Sequence, residues 1–490
     1  MVNKPLSGTV LRMSNLKLPL APSVSIFNGG LSTVATTTPG SPRKSGGSSP
    51  RKGGSSPRRR AAPGKAPVVA PVAGYDPIHT IMATKPVASK LSLDERVAKC
   101  MAVANYGGEI IQEEEVRKLF EAKANPICYD GFEPSGRMHI AQGILKAINV
   151  NRLTSAGCVF VFWVADWFGL LNNKMGGDLE KIKKVGQYFV EVWKAAGMDM
   201  SNVRFLRASE EINKNPQDYW LRVMNIARAN SISRVKRCGQ IMGRSEGDDQ
   251  PSAQILYPCM QCSDIFYLHA DICQLGMDQR KVNMLAREYM DKPEASKDKQ
   301  RMQGRKPIIV SHAMVPGLLE GQEKMSKSNP DSAIFMEDSE ADVKRKIKKA
   351  YCPPNQLEGN PCATYVKMLV FPYMGKFEVQ RKEANGGDVT FKTVEEFEEA
   401  YSHGQLHPGD LKAALARCLN EMIEPVRRHF ETDPEAKALL AEIKTYKVTN
   451  RWSSRSIGMG GYGSLGEQLQ AGGGILAIYD SRWLRKYFRV

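Results

Sequence analysis

Four short apolar runs, Ile127–Tyr129, Val159–Val164, Val203–Leu206 and Ile308–Val310, are separated by stretches whose apolar residues recur at helical spacing. This alternation constrains the fold more than any other feature of the chain. The clearest helical stretch runs from Asp178 to Ala196 and puts Leu179, Ile182, Val185, Phe189, Val192 and Ala196 on one stripe, with Gly197 as the stop. Strands alternating with helices predict an α/β fold, a doubly wound parallel sheet covered on both faces. Ser92 and Glu95 form a capping box where order is expected to begin. After Pro330 the period becomes helical almost throughout: Val343, Ile347 and Ala350 share one face, and Leu411, Leu415, Leu419 and Ile423 share another that ends at Pro425. The expected organisation is an α/β region over 91–330 and an α-helical region over 331–448.

The two ends differ from this body. Of the formal charge of +17, residues 1–90 carry +12 and residues 449–490 carry +4, so the remaining 358 residues are nearly neutral. The first 90 residues are Ser, Pro, Gly, Thr and basic residues, a composition that buries too little apolar surface to offset the entropy of ordering, and the expectation there is disorder. Ser41-Pro42-Arg43-Lys44 recurs as Ser49-Pro50-Arg51-Lys52. Such an arm can neutralise phosphates or act as a nuclear or organellar address. The glycine-rich tail 449–490 is expected to be loosely ordered. With 490 residues the chain is too long for a small disulfide-stapled scaffold. Its ten scattered cysteines fit free thiols in a reducing compartment, and the pair Cys259 and Cys262 reads as two small apolar residues on a helix, not a metal site. No uninterrupted apolar run of about 18 residues exists to span a membrane.

The chemistry lies in three segments. The first, Tyr129-Asp130-Gly131-Phe132-Glu133-Pro134-Ser135-Gly136-Arg137-Met138-His139-Ile140-Ala141-Gln142, leaves a predicted strand and enters a helix. A glycine-containing turn at a helix N-terminus offers free N–H groups and the positive dipole end to a phosphate, and His139 and Gln142, three apart, point to one side. The second, Lys324-Met325-Ser326-Lys327-Ser328, sets two lysines in a loop suited to clamping a transferring phosphoryl group. The third holds Tyr257, Gln261 and Asp264 at i, i+4 and i+7, on one face of a helix expected to start at Pro258. An amide and a carboxylate beside a tyrosine, flanked by Met260, Ile265 and Leu268, describe a polar pocket set in a core.

The His-Ile helix start after the first strand and the Lys-Met-Ser-Lys-Ser loop after the last resemble the two signatures of class I aminoacyl-tRNA synthetases. Gly131-Phe132-Glu133-Pro134-Ser135-Gly136 and the Tyr257 segment are similar to the tyrosyl-tRNA synthetases of archaeal and eukaryotic cytosolic type, over about residues 92 to 448. The resemblance implies a Rossmann-like catalytic domain followed by a helical anticodon-binding domain, joining L-tyrosine to tRNA(Tyr) with magnesium-bound ATP, in a cytoplasmic homodimer without a resident protein-bound metal or a membrane anchor. It assigns tyrosine binding to Tyr129, Glu133, Tyr257, Gln261, Asp264 and Gln279, with Asp264 at the phenol. It assigns ATP contacts to Gly131, His139, Gln142, Lys324 and Lys327, and anticodon contacts to His407 and Asp410. The chain departs from the pattern in two places: Ala141-Gln142 stands where the first signature usually ends Gly-His, and Asn385 stands where an aromatic stacking partner is looked for. Two rival readings are a tryptophan-specific relative, which Asp264 opposes, and a catalytically silent nucleic-acid-binding protein built on a synthetase core.

Overall fold

The computed structural model describes residues 71–242, 251–325 and 329–446. Six strands form one sheet: β1 Glu109–Ile111, β2 Ile127–Phe132, β3 Val159–Val164, β4 Val203–Arg207, β5 Ile272–Gly276 and β6 Ile308–His312. Their order is β1-β6-β5-β2-β3-β4, and every pairing is parallel except β1 with β6. The order reverses beside β2, where the chain leaves to one side through β3 and β4 and returns on the other through β5 and β6. Brackets between strands of this kind open a crevice at their carboxyl ends. Two strands, β1 and β5, escape the sequence reading: β1 is a three-residue edge, and β5 is preceded by a helix so apolar that no change of period marks its start.

Alternation along the strands sorts the side chains into two cores. From β3, Phe160, Phe162 and Val164 enter one, with Trp193 and Phe189, while Val159, Val161 and Trp163 enter the other, with Tyr267 and Ile265. The same period places Cys128 and Phe132 of β2 in the first core and Tyr129 in the second.

Several local expectations are corrected. Order does not begin at Ser92: within the expected disordered arm, Pro77–Met82 is helical, with Asp76 as its N-cap and Pro77 at its first position. Ile81 is buried in the second core, Arg204 donates to the carbonyls of Ile81 (3.0 Å) and Thr84 (2.9 Å), and Asp76 pairs with His269 at 2.8 Å. A short apolar patch among many small residues was enough, because its partners come from distant strands. The helix carrying Tyr257 spans Ala253–Tyr267 and runs through Pro258, so Pro258 is not its start. The long helix Pro408–Thr432 likewise continues past Pro425. After β6 the described residues are mainly helical, and among them only the hairpin Phe377–Val379 and Val389–Phe391 forms sheet.

Candidate functional site

A cavity of about 380 Å³ opens at the carboxyl ends of β2, β5 and β6. Its wall includes Gly131, Glu133, His139, Gln142, Tyr257, Gln261, Gln279 and Lys324, so residues from all three sequence segments meet there.

At one end the helix Ala253–Tyr267 presents Tyr257, Gln261 and Asp264 on one stripe. The Tyr257 hydroxyl donates to Glu133 Oε2 (3.3 Å) and the Gln261 amide donates to Gln279 Oε1 (3.0 Å). Glu133 also accepts from Asn172 at 3.0 Å and pairs with Lys174 at 3.3 Å, which fixes the rim of the cavity. Asp264 and Tyr129 lie behind this wall and do not line the cavity; their exposures are 0% and 1%. Asp264 accepts a hydrogen bond from the Tyr219 hydroxyl at 2.7 Å, and the Tyr129 hydroxyl lies 3.5 Å from its other oxygen, at the outer limit of a hydrogen bond. Burial pushes the Asp264 carboxyl well above the usual carboxylate range, opposed by the hydroxyls that donate to it. Gly131 is needed here: a Cβ on it would fall 2.7 Å from Tyr129 Oη.

At the other end His139 leads into a π-helical turn, Ala141–Leu145, that continues as the helix Lys146–Ser155. The His139 Nδ1 accepts the Gln142 N–H at 3.4 Å, and Trp193 donates to the Gln142 carbonyl at 2.8 Å. Gln142 Oε1 is buried with no hydrogen-bond partner. Lys324 is exposed, and Lys327 lies outside the described residues.

The two signature segments are tied together by backbone. Ile140 N–H donates to Ile334 O (2.8 Å) and Met336 N–H to Met138 O (3.0 Å), so the chain returning from the lysine loop pairs with the residues on either side of His139. Arg137 binds Glu337 and, at 3.2 Å, Asp338; Tyr188 donates to Glu337 at 2.9 Å and accepts the Met138 N–H at 3.1 Å. Lys346 closes the cluster on Asp338 at 2.6 Å. A Cβ on Gly143 would meet Met336 Sδ at 2.2 Å, so the present close packing of the helix start on the returning chain uses the absence of a side chain at residue 143.

Sequence reasoning missed Tyr219, which comes from the helix Pro216–Ala229, and a polar chain that reaches the cavity wall through Asp130, Lys146 and His312. In that chain Lys146 pairs with Asp130 (2.7 Å) and donates to Gln274 (3.0 Å), whose amide meets His312 Nδ1 at 2.8 Å. Burial and the nearby Lys146 hold the His312 imidazole well below its ordinary pKa. Lys146 is detectable as a charge on an otherwise apolar helix face; Tyr219 carries no local signal.

His407 is exposed and caps the helix Pro408–Thr432, its Nδ1 accepting the Gly409 N–H at 3.0 Å. Arg381 donates to Gly387 O and Gln405 O, both at 2.8 Å, which brings the Asn385–Gly387 turn to within two residues of His407. Among the basic residues of the segment 222–237, Arg222 is buried in ion pairs with Asp298 (2.7 Å) and Asp218 (3.0 Å), and Arg234 sits on a separate short helix paired with Glu288. Their charges are already compensated within the chain.

The family tRNA synthetases class I (W and Y) matches residues 121–424. Cytoplasmic tyrosine–tRNA ligase 1 of Arabidopsis thaliana is 61% identical over 347 residues, 71% of this chain and 88% of the relative. Ligase 2 of the same plant is 58% identical over 356 residues, 73% of this chain but only 46% of the relative. Among solved structures, Leishmania major tyrosyl-tRNA synthetase in complex with tyrosinol is similar with a TM-score of 0.67 and 50% identity, over 73% of this chain and 53% of that one. The Pyrococcus horikoshii tyrosyl-tRNA synthetase complexed with L-tyrosine gives 0.65 and 35%, over 72% and 100%. The chain thus spans about half the length of two of these proteins and most or all of the other two.

Proposed function

The chain belongs to the tyrosyl-tRNA synthetases, within the class I synthetases for tryptophan and tyrosine, and from that premise we propose how its residues perform tyrosine–tRNA ligation. The observation that carries the reading is a fully buried carboxylate, Asp264, 3.5 Å from a buried tyrosine hydroxyl and behind one end of a cavity whose other end holds His139, Gln142 and Lys324.

In this reading the phenol of L-tyrosine enters beside Tyr129 and donates to Asp264. Phenylalanine would forgo that hydrogen bond and leave the Asp264 oxygen opposite the one held by Tyr219 desolvated without a strong donor, the larger part of the selectivity. Glu133, Tyr257, Gln261 and Gln279 hold the amino-acid backbone. Gly131 lets the nucleotide approach, while His139 and Gln142 donate to ATP phosphates and Lys324 and Lys327 reach them from the opposite loop. The tyrosine carboxylate attacks the α-phosphorus, pyrophosphate leaves, and the tRNA 3′ end takes the acyl group from tyrosyl-adenylate. The residues supply positioning and charge stabilisation, with no covalent enzyme intermediate. Magnesium arrives on the nucleotide as part of the substrate.

Residues 91–330 serve as the catalytic domain and 331–448 as the anticodon-binding domain, where His407 and Asp410 meet the unstacked base. Residues 1–90 and 449–490 are extensions outside the matched family region, of which Pro77–Met82 packs onto the catalytic domain. A homodimer is supported by the exposed apolar residues Leu221, Met224, Ile232 and Leu256 on neighbouring helices. The cytoplasm is the proposed compartment, after the names of the Arabidopsis relatives. Pyrophosphate exchange with each of the twenty amino acids tests the reading: exchange with tyrosine alone is expected. Exchange with tryptophan, or with none, overturns it.

A further inference from the structure

Asp76 stands before Pro77, a helix cap followed by a residue whose φ is preset for the first turn, and its Oδ1 accepts the Ile78 N–H at 3.0 Å. The same carboxylate is held from two further sides. His269 Nε2 lies 2.8 Å from Oδ1 and 3.0 Å from Oδ2; facing an ionised carboxylate, which only accepts, that nitrogen carries the proton. Arg301 lies 3.9 Å from Oδ2 and reaches Asp218 at 3.2 Å.

These contacts join the two helices that build the acid wall of the cavity. His269 follows the helix Ala253–Tyr267, which closes as the Leu268 N–H donates to the backbone carbonyl of Asp264 at 2.9 Å. Asp218 lies in the first turn of the helix Pro216–Ala229, next to Tyr219, and the Asn215 amide that caps this helix donates to the Tyr75 carbonyl at 2.8 Å. Residues 75 and 76 thus grip the end of the helix that carries Asp264 and the start of the helix that carries Tyr219. Between those helices the Tyr219 hydroxyl donates to Asp264 at 2.7 Å. We propose that Asp76, on a segment that precedes the matched family region, is a positioning residue for tyrosine recognition, holding the two helices at the spacing that the Tyr219–Asp264 hydrogen bond requires.

The segment is fastened well enough to do this. Ile81 is buried in the second core, and Arg204 donates to the Ile81 and Thr84 carbonyls, so the strap is anchored beyond Asp76 as well as at it. A second path runs from its other side: the Tyr75 hydroxyl donates to the buried Glu211, whose carbonyl accepts the Tyr267 hydroxyl at 2.8 Å, and the Tyr267 ring meets that of Tyr219 edge-on with centroids 5.3 Å apart. Asp264 is fully buried, so no water replaces a hydroxyl that drifts out of line, and a hydrogen bond weakens steeply with misalignment. This clamp presupposes the role proposed above for Asp264 and adds what keeps that carboxylate aimed.

The test compares full-length variants in pyrophosphate exchange. Asp76→Ser keeps a capping oxygen for Ile78 but is too short to reach His269 and Arg301. Its KM for tyrosine is expected to rise about fivefold and its preference for tyrosine over phenylalanine to fall about tenfold, with the KM for ATP within about twofold and kcat within about threefold of the parent. An unchanged preference overturns the proposal, and so does a parallel rise in both KM values, which marks a general loosening of the fold. Asp76→Asn keeps the cap and can still bond the other tautomer of His269; it is expected to regain at least about threefold of the lost preference, and it carries the test if the Ser variant does not fold. An Asn variant as impaired as Asp76→Ser overturns the part given to His269. In an Asp264→Ala background Asp76→Ser should change the preference by less than about twofold, because the clamp acts through that carboxylate, and a further tenfold loss overturns the coupling. The two readings fail differently: Asp264→Ala that still excludes phenylalanine removes the proposed role of the carboxylate, whereas lost preference there beside an unaffected Asp76→Ser removes only the clamp.

Discussion

The two ends of the cavity are built in opposite ways. At the end proposed for the amino acid, Asp264 is bonded to Tyr219 and within 3.5 Å of Tyr129, all three almost wholly removed from solvent, whereas at the end proposed for the phosphates Lys324 is exposed and His139 only half-buried. Under the proposed function the difference follows from what each end distinguishes. A single hydroxyl is read only where an unpaired polar group is costly, which requires a dry and rigid wall. A triphosphate is recognised by charge, which acts over longer distances and tolerates water, so Lys324 can stand exposed. Rigidity at the phosphate end comes from beneath, through the Arg137–Glu337–Tyr188 cluster that anchors the returning chain beside His139.

Breaking the rigid end has the largest expected effect. Asp264→Ala should reduce the preference for tyrosine over phenylalanine from roughly 10⁵, a figure that itself comes from tyrosyl-tRNA synthetases, to about 10 or less, measured as the ratio of kcat/KM in pyrophosphate exchange. Retained discrimination would move phenol recognition to Tyr129 or Tyr219. At the phosphate end Lys324→Ala and Lys327→Ala should each slow adenylate formation by about 10² to 10³ while tyrosine affinity stays within about twofold. Parallel losses in both quantities would show that the two ends are not separable. Removing the anchor by Arg137→Gln should slow adenylation by about tenfold, again without weakening tyrosine binding, and Arg137→Lys should recover part of it.

The buried carboxylate can also be tested through stability. The folded-state pKa of Asp264 is raised above its unfolded value, so the fold binds that proton more tightly than the unfolded chain does. Its favourable contribution is present below the unfolded pKa of about 3.9 and is lost as pH rises through the folded value. Asp264→Asn removes this loss: its stability relative to the parent should increase from pH 5 to pH 8 in urea denaturation, even as activity falls. A difference that is flat with pH would mean that the carboxyl titrates normally. The smallest effect belongs to a part-buried pair outside the cavity wall. Arg234→Ala, which frees Glu288 and also removes hydrogen bonds to Cys238 and the Lys281 carbonyl, should lower stability by about 1 to 2 kcal/mol in urea denaturation and leave exchange unaltered.

Much of this was legible in the chain itself. Periodicity alone located β2, β3, β4 and β6 and the helical character of the second half, because strands and helices repeat their apolar residues at different intervals whatever they pack against. The stripe Tyr257, Gln261 and Asp264 was legible for the same reason, whereas the pairing of a helix start with a basic loop came from the resemblance to the two synthetase signatures. Composition misled where a few residues mattered: Pro77–Met82 looked like more of the arm, yet Ile81 is buried against strands from more than 40 residues away.

What sequence determined by itself was the local repertoire: which segments are strands or helices, and which residues carry chemistry. Tertiary structure alone decided their company. It turned Tyr129 toward Asp264 and Asp130 toward Lys146 on opposite faces of β2, supplied Tyr219 from a separate helix, and paired residues 334–336 with 138–140. It also spent Arg222 on Asp298 and Asp218 instead of leaving it for a phosphate. The physical reason is that short-range order depends on bonds along the chain, whereas a buried charge or hydroxyl takes its partner from whichever distant segment packing brings within about 3 Å.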